Sequence, residues 1–473
     1  MLGVWRLSVL CLRFSVPSRP CFRSLSTPPT EDWWSKYNFK SGEPFEFHAE
    51  MTDLVEAIAN AKEHNLHTLD SSSTPLKAFE LPNCSFPFKG FGPQVLFVRH
   101  FYDTLFTKIR SLERTVLIGN PRLGKSMFQF YYLSRIFNHG VFGSLPPNHL
   151  GLTKVEFVIR QLGADEVEIY NVDQKEVVSS PKVPVAGLFR VFDPSTTLYL
   201  VEPGAYKGEP YYLNLKCQAL ATVSPDERRY KEFCKNGAVK LYFPVWTLAD
   251  LKSAGRYLRD RDLLPQTPFY SEKSIEARYE QFGGIFQHIF VNSPQEAEAL
   301  LAQRKELMTK PNLDVFLVNG NIESPLVSHL IMQYSNIPMV GENSFQTREF
   351  AFVSKGVKKE VMNLIWGLKL DEQIQMLIQN DKRPYSTINS QEIYENVVPQ
   401  LLLIGTKGWG QRSINNQVYE SLGLTMTRIV QCTKLPNFDE MEENVIYKPM
   451  QQNYPAIDFQ FRLNQRVYGV DVT

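Results

Sequence analysis

Residues 116–130 read VLIGNPRLGKSMFQF, and the fold turns on them. Thr115, Val116, Leu117 and Ile118 make a short apolar run of the kind that forms a buried strand. It passes into Gly119, Asn120, Pro121, Arg122, Leu123, Gly124, Lys125 and Ser126, which satisfy G-x-x-x-x-G-K-[ST] at every fixed position. The glycines let the backbone curl so that its N–H groups converge on a phosphate. Lys125 can reach β- and γ-phosphates, and the Ser126 hydroxyl suits Mg²⁺. Met127, Phe128, Phe130, Tyr131, Leu133 and Ile136 then place an apolar face on a helix, whose N-terminal dipole end also attracts an anion. The stretch predicts a strand, a phosphate loop and a helix, with ATP and Mg²⁺ as the cofactors.

Downstream, residues 197–201 form a second buried-strand run that ends at Glu202. A P-loop ATPase needs a carboxylate at such a strand tip to hold the metal shell or orient the attacking water, and Glu202 fills that role on a strand expected beside the loop. ALATVSPD (219–226) reads as another strand, ending in Ser224, a polar candidate for sensing the γ-phosphate. VKLYFPVW (239–246) is one more. About five βα repeats result, which makes the core α/β with a largely parallel sheet. Residues 156–159 and the pair VEIYNV and KEVVSS predict a strand and then a hairpin with Asp173 and Gln174 in its turn. Helical spacing covers 51–64, 97–111, 248–262 and 274–289, the last with a break at Gly283 and Gly284.

With 43% hydrophobic and 21% charged residues, the 473-residue chain has the composition of a soluble globular protein of several domains. Its 51 basic residues balance 50 acidic ones, which excludes a global attraction to nucleic acid or anionic membrane and leaves only a local patch for such binding. Cys11, Cys21, Cys84, Cys217, Cys234 and Cys432 include no C-x-x-C, so neither a zinc site nor a disulfide framework is expected, and a reducing compartment fits. No apolar run is long enough for a membrane-spanning helix. Residues 1–30 lack Asp and Glu and carry Arg6, Arg13, Arg19 and Arg23, the composition of a mitochondrial transit peptide; a secretory signal is the alternative. The organisation read from the chain is a targeting segment (1–30), an adaptor segment (31–95), a P-loop ATPase core (96–250), a helical lid and linker (251–380) and a small C-terminal α/β domain (381–473).

In that last domain INSQEIYENVVPQLLLIG (388–405) puts Glu395 on an amphipathic helix. YKPMQQNYPAIDFQFRLNQRVYGVDVT (447–473) puts Asp458 and Asp471 on two short strands joined near Asn464. Two acids at adjacent strand ends and one from a packed helix can hold Mg²⁺ through oxygen ligands.

Taken in order, VLIGNPRLGKSMFQFYYL, LYLVEP, VSPDERRYKEF, LYFPVWTLADL and RYEQFGGIFQHIF resemble the ATPase module of Crinkler and retrotransposon-hot-spot type proteins over residues 97–290. That module is an AAA/STAND-like P-loop ATPase, commonly joined to a C-terminal nuclease of the restriction-endonuclease superfamily. The resemblance implies DNA or RNA as partner, oligomerisation through the ATPase module, and a nuclear or secreted-effector destination as the alternative to the mitochondrion. It also implies that Glu395, Asp458 and Asp471 are nuclease acids. The chain departs from the family at Arg122, where a small residue is usual, and at Gln287, where an arginine is. The leading reading is an ATP-binding P-loop protein coupled to a nuclease-like domain. A nucleotide-switched binding protein whose degenerate nuclease domain docks a partner is the second, and an unrelated mitochondrial ATPase the third.

Overall fold

The computed structural model describes residues 33–35, 45–66, 76–81, 95–138, 144–162, 166–180, 188, 191–202, 217–308, 329–335, 345–374, 397, 409–412, 419–422, 426, 428–432, 436–443, 445–449, 459–463 and 466–470. The chain divides into two compact units, one of Met1–His67, Ser72–Thr115 and Ser126–Thr222, the other of Thr68–Ser71, Val116–Lys125 and Val223–Thr473.

The elements are β1 (Glu46–Phe47), α1 (Ala49–Ala59), β2 (Lys62–Asn65), β3 (Lys77–Glu80), β4 (Val95–Val98), α2 (Tyr102–Arg110), β5 (Arg114–Ile118), α3 (Lys125–Phe137), β6 (Phe157–Leu162), β7 (Glu166–Asn171), β8 (Glu176–Ser180), β9 (Thr197–Glu202), β10 (Gln218–Val223), α4 (Lys231–Lys235) and β11 (Val239–Tyr242). There follow α5 (Leu248–Asp260), α6 (Glu272–Phe282), α7 (Phe286–Ile289), α8 (Pro294–Leu307), β12 (Met332–Ser335), β13 (Glu349–Phe352), α9 (Lys355–Trp366), β14 (Trp409–Arg412), β15 (Tyr419–Leu422), β16 (Arg428–Cys432), β17 (Val445–Pro449), β18 (Phe459–Leu463) and β19 (Arg466–Val470).

The main sheet has eight strands in the order β1-β8-β7-β6-β9-β10-β5-β11. Strands β6, β9 and β10 pair in parallel. The Glu113–Ala219 and Gly119–Val223 backbone bonds carry the same direction on to β5. The other side is antiparallel, built from the hairpin β7–β8, the β6–β7 pair and the short edge strand β1. The expected α/β class with a parallel core therefore holds, and the hairpin accounts for the long interval between loop and carboxylate. One expectation is corrected: β9, which Glu202 ends, is not the neighbour of the loop strand, because β10 lies between them.

Each element follows from its sequence. Strand β5 buries Val116, Leu117 and Ile118, and α3 is buried nearly all round from Phe128 to Phe137, including the polar Gln129, Ser134 and Arg135. Helix α2 buries Leu105, Phe106 and Ile109, each worth about 1.5–3 kcal/mol. Gln218 closes its C-terminus by donating to the carbonyls of Ile109, Arg110 and Leu112 and accepting from Arg110. The helices expected over 51–64 and 97–111 are shorter than their periodicity implies. Lys62–Asn65 and Val95–Val98 join Lys77–Glu80 in a three-stranded antiparallel sheet, since cross-strand pairing outweighs the marginal propensity of a helix end.

In the second unit Gly283 and Gly284 break the helical run as expected, and the reasons are steric. Gly283 has φ +64°, and a Cβ there would lie 2.0 Å from the Val353 carbonyl oxygen; one at Gly284 would lie 2.2 Å from that of Trp246. Towards the C-terminus β16, β17, β18 and β19 form a mixed sheet in which β18 and β19 make the expected hairpin, with Phe459 opposite Val470. Glu395, Asp458 and Asp471, like residues 1–30, lie outside the described residues.

Candidate phosphate-loop site

The loop between β5 and α3 takes its shape from two residues in the left-handed region, Arg122 with φ 66° and Gly124 with φ 96°. Glycine adopts that region freely, whereas a residue with a Cβ loses about 1–2 kcal/mol there.

Three contacts hold the loop. Asn120, fully buried, donates from Nδ2 to the Tyr334 carbonyl at 3.0 Å and accepts the Tyr334 N–H on Oδ1 at 3.0 Å, so its side chain pairs with β12 as a strand backbone would. The Trp246 indole N–H donates to the Leu123 carbonyl at 3.1 Å. Gly119 sits so close to Phe243 that a Cβ would come within 2.8 Å of the Phe243 Cβ, while the Phe243 N–H donates to Ile118. Trp246 also donates its backbone N–H to Gly284, which ties the glycine turn to the loop through one residue.

The Lys125 ammonium donates to the carbonyls of Gly119 at 2.7 Å and Asn120 at 2.8 Å, which curls the side chain back along the loop. Two imidazoles lie within electrostatic reach. His288 on α7 is fully buried and stacks on His329 with ring centres 5.6 Å apart. Burial first, then His329 and the Arg122 cation, push His288 down to about 3. Burial, Arg122 and Lys125 push His329 down to about 4. The Arg122 and Lys125 cations, beside two buried and neutral imidazoles, make a partly desolvated setting suited to an anion.

The other candidate group belongs to the first unit. Glu202 ends β9 as expected, and its carboxylate accepts from Arg160 Nη2 at 3.0 Å. Arg160, on β6, is fully buried; its Nη1 donates to Glu168 at 3.0 Å, its Nε to Gln129 at 3.1 Å, and its guanidinium lies 4.8 Å over the Phe130 ring. Tyr170 donates to the same Glu168 oxygen at 2.5 Å. Gln129, from the loop helix, also donates to Val201 and Thr222, joining α3 to β9 and β10. Burial opposes the charge on Arg160, and the neighbouring Tyr170, Glu168 and Glu202 outweigh it and hold the guanidinium above its ordinary range. Only Glu202 in this set is appreciably exposed, at 21% of its side chain.

Ser224 directly follows β10, and Ser126 is the second residue of α3, both half-buried. The structure thus gathers Gly119 to Lys125 into one clamped loop and fixes Glu202 in a separate charged cluster. Arg160, Trp246, His288 and His329 were not singled out from the sequence. For Arg160 a signal existed, since a charge in the middle of a buried-strand pattern needs buried partners.

No family model and no curated protein matches the chain. Among solved structures, the Thermotoga maritima RuvB Holliday junction branch migration motor aligns over 68% of this chain and 92% of that one, at 10% identity and a TM-score of 0.21. The assignment of a P-loop fold rests on this chain's own strand, loop and helix.

Proposed function

We propose that the chain binds Mg-ATP through Gly119 to Ser126 and hydrolyses it slowly, under control of the Arg160–Glu202 pair. The supporting observation is a complete phosphate-loop sequence standing between a buried strand and a helix, with its backbone clamped at Asn120 and Leu123. Such a loop directs backbone N–H groups and a helix dipole at the phosphates. Lys125 exchanges the carbonyls of Gly119 and Asn120 for phosphate oxygens. Ser126, a hydroxyl at the start of α3, fits Mg²⁺, which takes oxygen ligands and is commonly shared with nucleotide phosphates and water; the ion neutralises phosphate charge. Glu202 becomes available to polarise water once it leaves Arg160, which keeps Glu168 and Gln129, so release disrupts only the exposed arm of the cluster, worth about 1 kcal/mol. Calorimetry on Lys125→Ala tests the site: ATP affinity should fall at least about tenfold, or 1.4 kcal/mol. Equal affinity in parent and variant would place the nucleotide elsewhere.

The resemblance to Crinkler and retrotransposon-hot-spot proteins extends the reading to a C-terminal nuclease-like domain contacting DNA or RNA. The mixed sheet with the β18–β19 hairpin supports it, Asp458 and Asp471 being the residues next in sequence to the Phe459–Val470 pair. Cleavage by such a domain would require its carboxylates to hold Mg²⁺ beside the phosphodiester. Plasmid incubated with Mg²⁺ and ATP checks this: strong cutting that Asp458→Ala abolishes would show an active nuclease. The second reading, a nucleotide switch that docks a partner, is favoured by the ion pair that occupies Glu202.

A further inference from the structure

His288 is hard to explain as packing alone. It is fully buried, and neither ring nitrogen has a hydrogen-bond partner among the described residues. A buried polar group left unbonded costs about 1–3 kcal/mol, and a leucine or phenylalanine would fill the space between Phe282 and His329 without that cost. The position is rigidly defined: the ring of Phe286, two residues earlier, packs tilted against Trp246 with centres 4.9 Å apart, and Trp246 holds both Gly284 and the Leu123 carbonyl of the loop. The charged and titratable groups acting on the two imidazoles are Arg122 and Lys125 from the loop, together with the effect of His329 on His288. Two imidazoles could ligate a metal. The neighbouring cations decide against it, because a positive field repels a metal ion as it repels a proton and attracts an anion.

We propose that the stacked His288–His329 pair is a second phosphate-recognising element of the loop site, taking up a proton and donating hydrogen bonds to the terminal phosphoryl group of a bound nucleoside triphosphate. The inference rests on the nucleotide reading above and adds to it a ligand group and a proton. The terminal phosphate carries negative charge that offsets Arg122 and Lys125, removes the repulsion that adds to burial in keeping the imidazoles neutral, and offers acceptors to the unbonded His288 nitrogens. A diphosphate lacks that group, so discrimination of triphosphate from diphosphate should strengthen as pH falls. The sign follows from linkage: a ligand that raises a group's pKa binds more tightly at lower pH.

The test is calorimetry of the full chain with ATP and with ADP, in EDTA to suppress turnover, near pH 6 and pH 8, in two non-phosphate buffers of different ionisation enthalpy. Protons exchanged by the nucleotide itself cancel in the difference between parent and variant. In the parent the ATP-to-ADP affinity ratio should rise by about tenfold from pH 8 to pH 6, with extra protons taken up on ATP binding. His288→Phe keeps the ring packing and His329→Gln, at a half-buried position, keeps a donor. Both should lose the pH dependence and the extra proton while binding ADP as the parent does. A ratio and proton count unchanged in His329→Gln and in a folded His288→Phe would overturn the proposal and leave nucleotide binding intact. Absence of binding by either nucleotide to the parent would remove both.

Discussion

Replacing Arg160 by methionine should separate the two carboxylates it joins, because they differ in access to water. Arg160 lies 3.0 Å from Glu168 and 3.0 Å from Glu202, and the side-chain exposures of the two acids are 3% and 21%. Methionine keeps an apolar stem against the Phe130 ring and removes the charge. Glu202 turns to solvent, at a cost of about 1 kcal/mol or less. Glu168 cannot, and is left as a buried carboxylate still bonded by the Tyr170 hydroxyl, which costs about 3–5 kcal/mol. For a unit of this size that corresponds to a fall in melting temperature of roughly 6–20 °C. The discriminating step is the second substitution. Arg160→Met with Glu168→Gln leaves no net charge buried and should recover at least about 2 kcal/mol, whereas Arg160→Met with Glu202→Gln should recover almost none. The three variants are compared by thermal melts followed by circular dichroism and by urea unfolding. A single variant within 1 kcal/mol of the parent, or equal recovery by either second substitution, would refute the view that burial of Glu168 sets the cost.

Two further outcomes are expected. Glu202→Gln should leave ATP affinity within about twofold while turnover, read by phosphate release, falls by about two orders of magnitude, as when a general base is lost; unchanged turnover would move that role to another acid. Stability should fall from pH 7 to pH 5, because the unfolded chain takes up protons at His288 and His329 near the ordinary histidine value of about 6.5 while the folded protein holds them down to about 3 and about 4. The unfolded state then binds more protons throughout that window, a loss of about 4 kcal/mol for the pair that His288→Phe should roughly halve; equal urea midpoints at the two pH values would contradict it.

What the sequence disclosed and what it hid divide along the range of the interactions. The strand, loop and helix of 114–137, the β7–β8 hairpin and the Gly283–Gly284 break each carry a local signature, a fixed spacing or a turn residue, and each is found in place. Asn120 is different: its pairing with Tyr334 crosses 214 positions, and nothing near either residue announces it. The position of β9, expected beside the loop but separated from β5 by β10, is hidden for the same reason, since adjacency in a parallel sheet is decided by crossovers and not by neighbours in sequence. Arg160 stands between these cases. Gln129, Arg160 and Glu168 each put a polar group where helix or strand periodicity calls for an apolar one. A single violation reads as an exposed edge. Several within one run of buried elements imply that the violators meet, because each alone would cost several kcal/mol of desolvation.

The loop itself shows how a locally unfavourable residue is kept. Arg122 holds a left-handed backbone at φ 66°, which by itself costs about 1–2 kcal/mol. A strained conformation persists where its surroundings over-determine it. Here Asn120 is fixed by two hydrogen bonds on one side of Arg122 and Leu123 by the Trp246 indole on the other, so the backbone between them has little freedom to relax. The contacts that fix the loop come from β12 and from the residues before α5, and the glycine turn bonded to Trp246 leads into α7 with His288. Loop shape, the Arg122 cation and the buried imidazole therefore share one set of supports. A change at Trp246 that frees the Leu123 carbonyl should relax Arg122 and loosen His288 together, which is the coupling expected if phosphate is recognised by loop and histidine as a single unit.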